Sequence, residues 1–477
     1  MPRMRCNAAA RSSRSKALGM KTLAGSRLGV AAILSLLVAG TLAHAADRPN
    51  IVIVMADDMG WRDTGYAGSP HAKTPHLDDM AAKGLRFDYF YPGGQMCSPG
   101  RFATLTGRTP IRTGLHHLGS IRPQEFTLPQ ALKTVGYKTA QFGKWHLGGG
   151  QTSPAKMGFD EATWAINYFD LGAKLQVGDS KDFVELEGDT SVATMDLALQ
   201  YIRQRAAGKE PFFTYVNFGS PHSPHRAAPE FKALYKDLPE KQQDFYGEIS
   251  GLDAAVGNLR AELQELKIAD NTLVWFTSDN GGITPLSQDP AGRGKMNVGV
   301  RTISVLEWPA KITQPTITKV PCAHMDIYPT LLDITGVTRE GQPIIDGQSL
   351  LPLFNGKMTA REKLLGFMLW SGIDAAADFT KDTQGVWIDG NYKLIVPPTP
   401  RPAAEADTPK EPKKKNKRQG GGQPGSIQLF DIFEDQEHQK NLAAEQPETV
   451  KRMQAALREW QQSVRRSYDG HDFANQK

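Results

Sequence analysis

Asn50-Ile51-Val52-Ile53-Val54-Met55-Ala56-Asp57-Asp58-Met59-Gly60 begins as an unbroken apolar, β-branched run and ends in two adjacent carboxylates. Such a run is the signature of a strand buried on both faces, as in a parallel sheet covered by helices. Its abrupt polar end matters as much, because ligands of open α/β sheets bind at the carboxyl ends of the strands. The same form recurs three times. Residues 138–142 run into Gly143-Lys144-Trp145-His146, 212–218 into Gly219-Ser220-Pro221-His222, and 272–277 into Ser278-Asp279-Asn280-Gly281-Gly282. One sheet edge is expected to gather these four clusters, although over 200 residues separate the first from the last.

Helices are read between the strands at 77–83, stopped by Gly84, at 102–106, at 128–135, stopped by Gly136, at 191–205, at 245–266 and at 327–335. Val192, Met195, Leu199 and Ile202 give the helix at 191–205 one apolar stripe. Strand and helix in alternation, with a further strand at 303–308, predict an α/β fold with a large, mainly parallel sheet sandwiched by helices. After about residue 360 the texture changes. Short strands at 364–370, 385–389, 392–396 and 427–432, then a closing helix at 450–464 with Met453, Leu457 and Trp460 on one stripe, predict a smaller C-terminal α+β subdomain. The expected division is a main domain at 47–360 and this subdomain at 361–477, interrupted at 397–426 by a Pro-, Lys- and Gly-rich segment that reads as a disordered basic insertion.

With 477 residues, 40% hydrophobic and 22% charged, the chain is too long for a disulfide-stapled mini-protein and too apolar for a disordered one. The net charge of +5 misleads. Residues 1–46 hold seven basic residues and no acidic ones, leaving 49 basic against 51 acidic in the remainder. Six more basic residues crowd into 410–418, so the folded body is mildly acidic and no nucleic-acid partner is expected.

The first 46 residues read as an export signal: a basic stretch, an apolar run at 30–42, then Ala43-His44-Ala45 as a cleavage site. That run is shorter than the ~20 residues that span a bilayer, so no stable membrane insertion is expected, and the mature protein is expected to be periplasmic or secreted. Cys97 and Cys322 then remain, and an exported protein can join two such cysteines in one disulfide.

Asp57, Asp58, Asp279 and Asn280 stand at two strand ends. Adjacent carboxylates repel one another unless something positive lies between them. Three carboxylates and an amide form a hard, all-oxygen donor set that suits Ca²⁺ or Mg²⁺ and not zinc. Cys97-Ser98-Pro99-Gly100-Arg101, followed by Leu105-Thr106-Gly107-Arg108, is the decisive element. With the four strand-end clusters in their order, it resembles the formylglycine-dependent sulfatases of the alkaline-phosphatase-like superfamily. Their motif is Cys-x-Pro-x-Arg with a downstream Thr-Gly-Arg. Two departures stand out: Gly100 replaces the family's usual Ser or Ala, and Gly294-Lys295-Met296-Asn297-Val298-Gly299-Val300-Arg301 is a shortened form of a Lys…Glu-Gly-Gly-x-Arg element.

The resemblance implies that a formylglycine-generating enzyme oxidises Cys97 to formylglycine, whose hydrate attacks sulfur. It implies that Asp57, Asp58, Asp279, Asn280 and residue 97 itself hold Ca²⁺, with Mg²⁺ the lesser candidate. Arg101 and Lys144 then fix the diol, and His146 is the base that expels sulfate. His222 and Lys295 bind sulfate, and one of them protonates the leaving oxygen. The implied substrate is a sulfated small molecule or carbohydrate. A phosphoester or phosphonate hydrolase of the same superfamily, and a non-catalytic binding protein with Cys97 unmodified, are the alternatives. Trp61, His116, His117 and His225 are further candidates for the pocket wall.

Overall fold

The computed structural model describes residues 48–169, 171–282, 285–288, 301–338, 342–369, 377–399 and 425–473. The expected leader, Lys295 and nearly all of the 397–426 insertion lie outside these residues. In chain order the strands are β1 (Asn50–Ala56), β2 (Leu85–Phe87), β3 (Phe90–Tyr91), β4 (Lys138–Lys144), β5 (Glu161–Ala165), β6 (Lys174–Val177), β7 (Phe183–Glu185), β8 (Phe212–Asn217), β9 (Thr272–Ser278), β10 (Ser304–Glu307), β11 (Thr316–Thr318), β12 (Cys322–Ala323), β13 (Leu365–Leu369), β14 (Gln384–Asp389), β15 (Tyr392–Val396) and β16 (Gln428–Asp431). The principal helices are α1 (Pro75–Lys83), α2 (Cys97–Thr106), α3 (Leu128–Lys133), α4 (Thr190–Ala206), α5 (Glu240–Glu265), α6 (His324–Thr335) and α7 (Pro447–Tyr468).

Strand β1 sets the layering. Its side chains alternate, with Ile51, Ile53 and Met55 in one core and Val52, Val54 and Ala56 in the other. The first core takes Phe102 and Leu105 from α2, Leu128 and Leu132 from α3, and Ile327 and Leu331 from α6. The second takes Leu77 and Met80 from α1, Met195 and Leu199 from α4, and Ile249, Leu252 and Val256 from α5. Each such Leu, Ile or Val contributes roughly 1.5–3 kcal/mol when fully buried, so both faces must be covered for β1 to be stable.

Ten strands make one sheet in the order β11-β2-β10-β9-β1-β8-β4-β5-β6-β7. From β9 to β5 all neighbours are parallel, and the flanks turn antiparallel at β10 and at β6. The four strands that end in polar clusters, β9, β1, β8 and β4, are therefore consecutive and point the same way. A separate antiparallel sheet, β13-β14-β15-β16, follows. Helix α7 closes it, packing Met453 and Leu457 on Trp387, Leu394 and Leu429.

The large, mainly parallel sheet and the small antiparallel one match the expectation. The large sheet is wider than the sequence suggests, because β2, β5, β6, β7 and β11 are only three to five residues long and carry too few positions to show a period. Most of the helices start earlier than read, two of them by five residues. The helix expected at 102–106 begins at Cys97, and the one expected at 245–266 begins at Glu240, behind Pro239. Cys97 and Cys322 are both free, buried thiols, so the possible disulfide is not formed. Among the described residues no helix is long and apolar enough to cross a membrane.

Candidate active site

Cys97 is the first residue of α2, whose ten residues are all buried and which Gly107 ends in the left-handed conformation (φ 71°). The helix points its first turn at the carboxyl ends of the parallel strands. Cys97 Sγ lies 3.3 Å from Asp57 Oδ1 and 3.6 Å from Lys144 Nζ. Lys144, the last residue of β4, pairs with Asp57 Oδ2. One turn along α2, Arg101 spans the floor: Nη2 lies 2.7 Å from Asp279 Oδ2 and 3.9 Å from Asp57 Oδ2. Its Nη1 donates to Asn217 Oδ1 at 2.8 Å and to the Lys144 carbonyl at 3.2 Å.

Asp58 extends the cluster. It sits at φ 63°, an uncommon conformation for a non-glycine residue, of the kind that concentrates at functional sites. Its amide donates to Asp279 Oδ1 at 3.2 Å, and Asn280 Nδ2 donates to its Oδ1 at 2.6 Å. His222 Nε2 lies 3.3 Å from Asp58 Oδ2. His222 Nδ1 stands 2.6 Å from the Ser223 carbonyl, which can only accept, so Nδ1 carries a proton. Donor atoms of Asp57, Asp58, Cys97 and His222 all lie within 4.8 Å of one another. Asp279 stands beside this group, with one oxygen engaged by Arg101 and the other by the Asp58 amide.

His146 also has a positive φ, 53°. Its carbonyl accepts from Ser98 Oγ at 2.6 Å, so the residue after Cys97 fixes the turn that carries His146. Its Nδ1 is buried without a hydrogen-bond partner. The two histidines are the open side of the site: His146 is 8% exposed, whereas Asp57, Asp58, Arg101, Lys144, Asp279 and Asn280 are all fully buried.

Three buried carboxylates face two buried cations. Burial, and then the neighbouring Asp279 charge, push Asp57 up to about 8, with Lys144 and Arg101 opposing. Burial, and then Asp279 and Asp57, push the Cys97 thiol well up. Burial, and then Lys144, pull His146 down to about 3, which keeps its imidazole neutral. Burial also lowers His222, against the pull of Asp58. The pocket thus has one carboxylate more than its cations balance. It also holds a buried acceptor, Asn280 Oδ1, without a hydrogen-bond partner. A hard dication fits both features.

The structure therefore brings together Cys97, Arg101, Lys144, His146, His222, Asp57, Asp58, Asp279 and Asn280. Lys295 lies outside the described residues. The further candidates have other partners: the Trp61 ring lies 4.5 Å from the Arg62 guanidinium and 3.7 Å from that of Arg301, and His225 pairs with Glu248 at 3.2 Å. His116 and His117 are exposed. Two residues absent from the sequence-based set join the site. Asn217, the last residue of β8, anchors Arg101, and a polar end to the fully buried run 212–217 was its only signal. Phe169, on the loop after β5, packs tilted against His222 with centroids 4.6 Å apart, and nothing in the sequence marks it.

Comparison with known proteins finds relatives over most of the chain. A family model described as Sulfatase matches residues 49–337. The chain is 33% identical over 363 residues to an N-acetylgalactosamine-6-sulfatase of Canis lupus familiaris, covering 67% of this chain and 68% of that one. Among solved structures, Ps i-CgsB in complex with k-i-k-neocarrahexaose superposes with a TM-score of 0.74 at 22% identity, covering 89% of this chain and 97% of that one. A protein solved with its substrate D-glucosamine-2-N,6-O-disulfate superposes with a TM-score of 0.70 at 18% identity, covering 90% and 100%.

Proposed function

The chain belongs to the sulfatase family and is a sulfuric ester hydrolase, and we propose that it is an exported enzyme acting on sulfated carbohydrates through a formylglycine made from Cys97 and a bound Ca²⁺. The observation that carries this reading is the convergence of Cys97 Sγ, Asp57 and Lys144 at the carboxyl end of the sheet, 3.3 and 3.6 Å from the thiol. The carbohydrate substrate is supported by the relative named N-acetylgalactosamine-6-sulfatase and by the saccharides named with two fold neighbours. Sulfated hexosamines are the first substrates to assay.

In this reading residues 47–360 are the catalytic domain, 361–477 the C-terminal subdomain, and the leader at 1–46 directs export to the periplasm or beyond. A formylglycine-generating enzyme matures Cys97. Asp57, Asp58, Asn280, Asp279 and residue 97 would hold Ca²⁺, or less well Mg²⁺. When bound, the dication would act as a Lewis acid toward a sulfate oxygen. The modified residue would supply a hydroxyl nucleophile in place of a thiol.

The chain's own side chains do the rest. Arg101 and Lys144 keep two positive charges beside residue 97 and so orient it and offset the sulfate's negative charge. His146, held neutral, accepts a proton at its unpartnered Nδ1 when sulfate is released. His222 has its Nδ1–H committed to Ser223, so it can give a proton to the leaving alcohol oxygen from Nε2 only in its doubly protonated form, which Asp58 beside Nε2 favours. Lys295 would add a further contact to sulfate.

Side-by-side turnover of the sulfate and phosphate esters of one alcohol tests the proposal. Preferred hydrolysis of the sulfate supports it. Preferred hydrolysis of the phosphate would replace it with the phosphoester alternative, and turnover of neither by matured protein would favour a binding role.

A further inference from the structure

Phe169 lies against the His222 imidazole and the Lys144 ammonium. Its ring centroid is 4.6 Å from that of His222, tilted by 33°, and the Lys144 ammonium lies 5.8 Å from its centre. The first separation is that of two packed rings, and the second is within the range where an aromatic face attracts an ammonium. The preceding residue explains how the ring is brought there. Tyr168 is buried, and its hydroxyl lies 3.0 Å from the Asn217 carbonyl and 3.0 Å from Thr194 Oγ1. Two glycines make room for it. A Cβ on Gly219 would stand 2.5 Å from the Tyr168 carbonyl, and one on Gly143 would stand 3.0 Å from its hydroxyl. The ends of β4 and β8 thus clamp Tyr168, and the next residue is delivered onto the His222 ring.

The edges of His222 are already held, at Nδ1 by the Ser223 carbonyl and at Nε2 by Asp58 Oδ2. Edge contacts leave an imidazole free to tilt, since its terminal torsion is broad. A ring packed on its face removes that freedom.

We propose that Phe169 is a positioning residue for sulfate-ester cleavage: its ring fixes the plane of His222 so that Nε2–H points at the leaving oxygen. This rests on the reading of His222 as the group that protonates that oxygen. In the step concerned, the nucleophile's oxygen bonds to sulfur and the ester S–O bond breaks. The electron pair of that bond goes to the alcohol oxygen, which takes the Nε2 proton of doubly protonated His222 and leaves the ring neutral with its Nδ1–H on Ser223. Misplacement of a catalytic group by about 1 Å can cost a hundredfold in rate, so a packing contact suffices for a large effect.

The experiment compares leaving groups. Matured wild-type protein and the variants Phe169→Ala, Phe169→Leu, Phe169→Tyr and His222→Ala are assayed with 4-nitrophenyl sulfate, whose phenolate leaves readily, and with phenyl sulfate, whose oxygen needs the proton. Phe169→Ala is expected to lower kcat for phenyl sulfate by about tenfold or more, and to change that for 4-nitrophenyl sulfate and both KM values by less than about threefold. Phe169→Tyr is expected to restore wild-type behaviour and Phe169→Leu to fall between. Melting temperatures identify any variant that fails to fold, and Phe169→Leu carries the comparison if Phe169→Ala is one. His222→Ala is expected to show the same leaving-group pattern more strongly. Equal losses on both substrates for the Phe169 variants, with the pattern intact in His222→Ala, would overturn the positioning role alone. Absence of the pattern in His222→Ala would overturn the reading of His222 beneath it.

Discussion

A Cβ on Gly100 would lie 1.9 Å from the carbonyl oxygen of Asp279. Helix α2 and the end of β9 therefore touch backbone to backbone, one residue before Arg101 reaches Asp279 Oδ2 at 2.7 Å. The family's usual Ser or Ala at this position would force the two apart, so glycine here is part of how Arg101 meets its carboxylate. Gly100→Ala is expected to lower stability by about 1–3 kcal/mol, as overpacked sites do, and to lower activity by more than the folded fraction explains. Thermal unfolding and turnover per folded molecule check this. A variant equal to the parent in both would mean that α2 can retreat freely.

Asp279 links the metal candidates to Arg101. Asp279→Asn keeps its shape but removes the charge that Arg101 and the Asp58 amide use. Metal content and kcat/KM are both expected to fall, by at least the 10- to 100-fold typical of groups that support a metal site. Elemental analysis of dialysed protein, with a chelator-treated wild type as reference, measures the first. Full retention of both would remove Asp279 from the site.

Arg108, the arginine of Thr106-Gly107-Arg108, is expected to serve stability and not chemistry. It is buried, with Nε 3.2 Å from Glu125 and Nη2 2.6 Å from Asp472 near the end of the chain. Breaking a buried ion pair from one side costs about 3–5 kcal/mol. Asp472→Ala is expected to lower the melting temperature clearly while leaving kcat of the folded protein unchanged. A loss of kcat without a loss of stability would place Arg108 in the chemistry after all.

These cases show what was readable and what was not. The four polar strand ends were legible because a buried strand that stops in Asp-Asp or Asp-Asn is a local pattern, and parallel strands place such ends on one edge. Asn217 escaped because the same run, 212–218, reads as strand interior, and only the fold shows its amide meeting Arg101. Phe169 escaped because its partner His222 lies on another strand's loop, 53 residues on, and a loop phenylalanine has no signature. The edge strands were too short to show a period. The engagement of both Asp279 oxygens depends on how closely α2 approaches β9, which Gly100 permits and no motif records.

Lys393 offers a test by pH. It is buried in β15, and burial, followed by the nearby Arg301 charge, depresses it to about 7. An unfolded lysine titrates near 10.4. Between about 7 and 10.4 the unfolded chain therefore holds more protons, and the contribution of Lys393 to stability rises with pH. Its penalty is full below about pH 7. Lys393→Met is expected to be more stable than the parent at pH 6, with the gap closing as pH rises to 10. A gap independent of pH would show that Lys393 stays charged in the fold.

In the proposed reaction Cys97 is not a working thiol but the precursor of the nucleophile. Cys97→Ala, which removes one buried sulfur and should leave folding nearly intact, is expected to abolish turnover. The most direct measurement is the mass of the tryptic peptide from Phe87 to Arg101, taken from protein made in its native host. An aldehyde in place of the CH₂–SH group is expected at position 97. An intact thiol in fully active protein would contradict it.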